Sequence, residues 1–222
     1  MHRIDSPSFR KQLLLTSLIA ITVLLLDQWL KFYVKTDFDP YEPARPLFGD
    51  WLVLEYIENP GMAFGTTFGT SIWGKLALSI FRILAIGGMI YYWITRTRKG
   101  VKWDFHLATA LVFAGAAGNL IDSMFYDFWF EYDPCMRFNI MPGSGNEIDC
   151  GHFIQETKFR GFLLGNVVDM FKFQGSWPEW MPWLGGKDVF PAIWNLADGS
   201  ITVGVIIIFF RQKSFFPSKK PA

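Results

Sequence analysis

Long apolar runs separated by polar segments dominate the chain. Leu13–Leu26 is almost wholly apolar and its run reaches Val34; further runs cover 72–94, 105–125 and 190–210. A bilayer core about 30 Å thick needs roughly 20 apolar residues of helix. The pattern therefore predicts four transmembrane helices, at 13–34, 72–94, 105–125 and 190–210. Between the first two lies a β-rich run, Trp51-Leu52-Val53-Leu54-Glu55-Tyr56-Ile57, ending in Glu58-Asn59-Pro60-Gly61. Pro-Gly is turn chemistry, so the run reads as a strand of a small β-element resting on the membrane surface. The expected class is an all-α membrane protein, one membrane domain over 1–222, carrying that small extracytoplasmic β-element.

Composition closes the soluble alternative. The chain is 51% hydrophobic and 18% charged, against about 25% charged residues in soluble domains. Four core helices of a soluble domain would need amphipathic material to wrap them, and none remains. A net charge of +1 gives no electrostatic case for nucleic acid. Two cysteines and three histidines are too few for a zinc ribbon or an iron–sulfur framework, so no metal or cofactor is expected. The first run follows Arg3, Arg10 and Lys11 but exceeds the usual apolar stretch of a signal peptide and lacks a small-x-small cleavage site, so it reads as a retained span.

Basic residues near span ends stay cytoplasmic. They occur before the first span, between the second and third (Arg96, Arg98, Lys99, Lys102) and in the tail (Arg211, Lys213, Lys219, Lys220). Residues 36–70 hold one base against six acids, and 127–189 hold five bases against nine. Both termini are thus expected in the cytoplasm and both large loops outside. Trp73, Trp93, Trp103 and Trp129 fall at predicted span ends, where such rings favour the headgroup layer. Trp177, Trp180 and Trp183 suggest a short segment lying on the outer leaflet, or else the core of a small outer subdomain.

Cys135 and Cys150 share the second outer loop. A disulfide there, favoured by an oxidising compartment, could stabilise the loop by about 3 kcal/mol; two free thiols are the alternative.

Ionisable groups inside spans are expensive and so are functional candidates. Asp27 and Lys31, four residues apart on one helix face, read as a structural pair. Lys75 can snorkel from a span end, Arg82 lies deeper with no partner evident from sequence, and His106 reads as interfacial. Asp198 would lie about 12 Å into the fourth helix, with Asn195 on the same face. Asp169 precedes that helix and Asp122 closes the third, so three carboxylates converge near the outer surface. Two facing carboxylates cannot both ionise cheaply; one keeps a proton, which provides a general acid and a general base in one site. The residues favour intramembrane hydrolysis. A proton- or cation-coupled carrier using Asp27, Asp122 and Asp198 is the alternative, although acids this shallow and spans without a repeat suit a carrier poorly. A scaffolding or outer-leaflet binding protein is the third reading.

Five ordered blocks resemble the lipoprotein (type II) signal peptidases: Asp27-Gln28-x-x-Lys31, Glu58-Asn59-Pro60-Gly61-Met62-Ala63-Phe64-Gly65, Gly115-Ala116-Ala117-Gly118-Asn119-Leu120-Ile121-Asp122, Asn166-Val167-Val168-Asp169 and Asn195-Leu196-Ala197-Asp198. The resemblance implies an aspartic endopeptidase of the bacterial cytoplasmic membrane. It would act as a monomer among membrane lipids, without cofactor, and cut prolipoproteins just before the diacylglyceryl-modified cysteine. By motif, Asp169 and Asp198 match the catalytic pair, and Asn59, Gly61, Asn119, Asp122 and Asn195 match polar positions lining the substrate site. Two departures stand out. Ser123 occupies the place where the family commonly has arginine, and 127–164, with both cysteines, is an insertion where relatives have a short connection.

Overall fold

The computed structural model describes residues 7–60, 72–98 and 101–215. In chain order it has α1 (Pro7–Asp37), β1 (Arg45–Phe48), β2 (Leu52–Asn59), α2 (Ile72–Arg98), α3 (Trp103–Trp129), a 3-10 turn (Arg137–Asn139), β3 (Glu147–Asp149), β4 (Ile154–Glu156), β5 (Val167–Phe173), β6 (Ile193–Trp194) and α4 (Leu196–Phe215). Three helical stretches among these residues are long and apolar enough to cross a membrane: Arg10–Asp37, Ile72–Arg98 and Trp103–Trp129. They outlast the apolar runs because hydrophobicity marks only the lipid-buried part of a helix. The extra turns carry polar residues suited to the helix dipole, with Asp104 opening α3 and Arg96 and Arg98 closing α2.

The fourth helix differs from expectation. It begins at Leu196, six residues later than the apolar run, and ends at Phe215. Ile193 and Trp194 instead pair with Lys172 and Phe171 as a sheet strand. A short apolar run does not by itself distinguish a buried strand from a helix, and here the sheet edge captures it. Asp198 therefore sits in the first turn of α4 rather than about 12 Å along it, and Asn195 precedes the helix instead of sharing its face.

The chain divides into two compact units, one of Met1–Gln28, Ile80–Leu120 and Leu196–Ala222, the other of Trp29–Ser79 and Ile121–Asn195. In the first, small residues bring helices together: Ala20, Ala110 and Ala114 pack with Ile19, Val23 and Phe113. Trp93, Phe105, Ala108 and Phe215 form a second cluster. Trp93 is buried there, and its Nε1 donates to Nδ1 of the fully buried His106 at 3.1 Å. Both side chains face the protein interior rather than its surface. Leu14, Leu25 and Phe210 remain 69%, 64% and 77% exposed, the apolar exterior required of a helix surrounded by hydrocarbon.

The second unit contains an antiparallel sheet of order β1-β2-β5-β6. Its β2–β5 register places Ile57 opposite Asp169 and Asn59 opposite Val167. Alternation then sorts the side chains. Val168 and Met170 enter a core with Val34, Phe38, Tyr56 and Tyr126, while Asp169 between them faces the other way. Phe48, Trp51, Phe173 and Trp194 stack successively across the sheet. The loop from β5 to β6 closes through Trp177 N–H to the Lys187 carbonyl and leaves Trp180 and Trp183 exposed.

Residues 127–164 carry the 3-10 turn and the β3–β4 pair. Their base is tied to Asp127: Lys158 Nζ lies 2.6 Å from its Oδ1, Gly161 N–H donates to its Oδ2, and Arg160 Nε donates to its carbonyl. Cys135 and Cys150 are joined by a disulfide, with Cα atoms 5.8 Å apart. A thiol reagent is expected to label the unfolded protein only after reduction, and Cys135→Ser/Cys150→Ser should lower stability by about 3 kcal/mol. Mass spectrometry and unfolding curves check both; labelling of unreduced protein would contradict the bridge.

Candidate active site

Two sets of polar residues surround the aspartates singled out in the sequence, one in each unit. In the sheet-containing unit the central side chain is Asp169, which is 2% exposed. Asn59 Nδ2 donates to its Oδ2 at 3.2 Å, and Asn195 Nδ2 donates to its Oδ1 at 2.6 Å. Asn195, fully buried, also donates to the Val168 carbonyl at 3.1 Å. Both carboxylate oxygens are thus held by neutral amides, one from the end of β2 and one from the residue just before α4. Gly61, the other candidate of the first outer loop, lies outside the described residues.

The strand carrying Asp169 is itself anchored. Lys31 Nζ and Asp122 Oδ2 lie 2.8 Å apart with both side chains wholly buried, and Asp122 Oδ2 also accepts the Val168 N–H at 3.3 Å. Asp122 is therefore inaccessible and holds the strand next to Asp169. Glycine is required where that strand arrives: a Cβ on Gly165 would lie 2.3 Å from the Asp122 carbonyl oxygen. Gly165 N–H donates to the Ser123 carbonyl at 2.9 Å, and Ser123 is buried. Lys75 does not snorkel; its Nζ donates to Asn166 Oδ1 at 2.7 Å.

In the other unit, Asp198 is half-buried and its Oδ1 accepts from Asn119 Nδ2 at 2.8 Å. Asp27 caps the helix that carries it: its Oδ1 accepts the Ala197 N–H at 2.8 Å, satisfying one of the donors a helix start leaves open. Gln28 Nε2 donates to Asp27 Oδ2 and to the Gly118 carbonyl, each at 3.2 Å. A Cβ on Gly118 would sit 2.5 Å from Asp27 Oδ2, so a glycine is needed for that approach.

Sequence reasoning missed a third group, behind β2. Tyr56 O–H donates to Glu58 Oε1 at 2.6 Å, and Lys35 Nζ pairs with the same oxygen. Burial, reinforced by the Glu58 charge, raises the Tyr56 phenol far above its usual range. Burial lowers the Lys158 ammonium, with Asp127 opposing that shift. The available signal was alternation: Tyr56 and Glu58 lie on one face of a strand whose other face carries Asn59.

The Lys31–Asp122 pair yields a direct test. Lys31→Met leaves a buried carboxylate without its lysine and should cost about 3–5 kcal/mol, with Lys31→Met/Asp122→Leu recovering much of the loss. Unfolding in detergent measures both. A single variant as stable as the parent would show that the pair does not hold the strand.

The family model described as signal peptidase (SPase) II matches residues 19–213. Lipoprotein signal peptidase of Porphyromonas gingivalis is 34% identical over 196 residues, covering 86% of this chain and 79% of that protein. The Amoebophilus asiaticus protein of the same name is 31% identical, covering 88% and 76%. Two solved structures described as bacterial membrane enzymes match with TM-scores of 0.55 and 0.54. They are 21% and 24% identical and cover 93% and 89% of this chain, and 93% and 91% of theirs, a likeness of fold. The protein is a multi-pass membrane protein, and with the model spanning nearly its whole length and two relatives above 30% identity, the chain belongs to the signal peptidase II family.

Proposed function

We propose that this protein is an aspartic endopeptidase that removes the signal peptide of diacylglyceryl-modified prolipoproteins, cutting before the lipidated cysteine, with Asp169 and Asp198 as its catalytic pair. Its family and the names of its curated relatives support the peptidase activity. No relative supports the carrier considered from the sequence. The observation carrying the residue assignment is the amide cradle on Asp169: a carboxylate 2% exposed, held at both oxygens by Asn59 and Asn195.

In this reading one aspartate, ionised, takes a proton from water, and the hydroxide adds to the scissile carbonyl carbon. The other aspartate, protonated, donates to the amide nitrogen as the C–N bond breaks. The products are a signal peptide ending in a carboxylate and a lipidated cysteine with a free α-amine. Asn59 and Asn119, the less buried amides, meet the substrate; Asp122 and Asn195 hold the acids' surroundings, and Gly61 belongs to the same substrate site. Asp27 and Lys31 act structurally.

The topology belongs to the proposal as well. α4 is the fourth span, both termini are cytoplasmic, and the sheet with the insertion at 127–164 lies on the outer side of the bacterial cytoplasmic membrane. The exposed Trp180 and Trp183 rest among outer-leaflet lipids there. The enzyme works as a monomer within a single membrane domain.

Purified Asp169→Asn and Asp198→Asn proteins should each lose at least about a thousandfold in kcat on a lipidated precursor, followed by gel shift, while keeping the parent's melting temperature. Full turnover by either variant would remove that residue from the pair.

A further inference from the structure

The insertion touches the strand pair at a definable joint. Asn166, 2% exposed, lies three residues before Asp169. Its Oδ1 accepts from Lys75 Nζ at 2.7 Å, and because an ammonium can only donate, this fixes the amide orientation. Nδ2 is thereby aimed at acceptors, and it donates to Glu58 Oε2 at 3.2 Å and to Asn139 Oδ1 at 3.1 Å. Glu58 neighbours Asn59, which holds Asp169; Asn166 neighbours Val167, which pairs with Asn59 across the sheet. One amide thus contacts both strands at the end where the acid is held.

Asn139, the third member, belongs to the insertion and is 4% exposed. Its Nδ2 donates to the Asp133 carbonyl at 2.8 Å, and its own carbonyl accepts from Lys158 N–H and Thr157 Oγ1, each at 2.8 Å. Asp133 Oδ1 in turn accepts the Cys135 N–H at 2.8 Å. Hydrogen bonds therefore link the backbone beside the disulfide, through the exposed Asp133, to Asn139 and Asn166, and on to Lys75 and Glu58. Asn166, Asn139 and Glu58 are buried at the joint, where an unsatisfied amide is costly and its geometry correspondingly well determined.

We propose that the disulfide-closed insertion is a buttress for the catalytic strand, and that Asn139 and Asn166 are positioning residues setting the placement of Asn59 and Asp169. The inference rests on the assignment of Asp169 as a catalytic acid. Neither asparagine touches the reacting atoms. They act through β2 and β5, so their loss should lower turnover on bound substrate and leave substrate capture largely alone, since displacements well below 1 Å already reduce rates.

The test uses the full-length enzyme in detergent or nanodiscs with a lipidated precursor. Asn139→Ala and Cys135→Ser/Cys150→Ser are each expected to lower kcat about tenfold, with KM within about twofold, assayed at a temperature where the variants are fully folded. Combined, the two changes should cost little more than one alone, because both loosen the same insertion against the same strands. Asn166→Leu should reproduce the kcat loss. Should a variant not fold, reductant added to the wild-type enzyme provides the same comparison: kcat falls tenfold and returns on reoxidation, while Cys135→Ser/Cys150→Ser, if folded, does not respond. Wild-type kcat in folded Asn139→Ala, or in reduced wild-type enzyme, would overturn the buttress; so would an effect confined to KM or to melting temperature. Asp169→Asn separates the two ideas. If it is inactive while Asn139→Ala turns over normally, only the buttress fails; if it is active, the assignment of Asp169 fails.

Discussion

A wholly buried lysine and a wholly buried aspartate, Lys31 and Asp122, meet at 2.8 Å. The same carboxylate oxygen receives the backbone N–H of Val168, so the central strand of the small sheet hangs from an ion pair. Such a pair contributes little net stability compared with an apolar substitute, because desolvation offsets most of the attraction. What it supplies is direction. A backbone amide bonded to a fixed carboxylate has one acceptable position, and the next residue along is Asp169. Alternation then turns Asp169 to the face opposite the core formed by Val168 and Met170. The surroundings of Asp169 follow, with Asn59 arriving on the neighbouring strand in the register that places Ile57 against Asp169.

The same logic recurs around Asp198 with different parts. A helix start leaves N–H groups without internal acceptors, and Asp27 satisfies one of them at Ala197. The carboxylate of α1 thereby fixes the first turn of α4, and Asn119 reaches Asp198 within that turn. In both units a charged residue bonds the backbone beside the acid, and a neutral amide holds the acid itself.

Much of this was readable from sequence because of its cost. Acids inside apolar runs are rare enough that Asp27, Asp122 and Asp198 identify themselves, and the apolar runs locate three helices to within a few residues. Partners were not readable. Asp27 and Lys31 invited pairing by their spacing, yet Lys31 reaches Asp122 and Asp27 caps Ala197, contacts made between segments about 90 and 170 residues apart. Residues 190–195 were misread because strand pairing with β5, a tertiary event, overrode an apolar run that suited a helix equally well. Asn139 gave no local signal, and Asn166 none beyond membership of a short block. An asparagine becomes a joint only when the fold surrounds it with a lysine and a carboxylate.

The choice of amides around the acids has a chemical consequence. A lysine or arginine against a carboxylate favours its ionised form, and two such cations would favour ionisation of both members of a pair. An acid–base pair needs one proton retained. Asn59 and Asn195 fix Asp169, and Asn119 fixes Asp198, with donors that carry no net charge. Four lysines serve other residues: Lys31 pairs with Asp122, Lys35 with Glu58 and Lys158 with Asp127, and Lys75 donates to Asn166. In these contacts charge anchors backbone and insertion, while neutral amides hold each acid. Positioning by neutral donors also makes the arrangement sensitive to small displacements. A dipole's hold weakens faster with distance than a charge's.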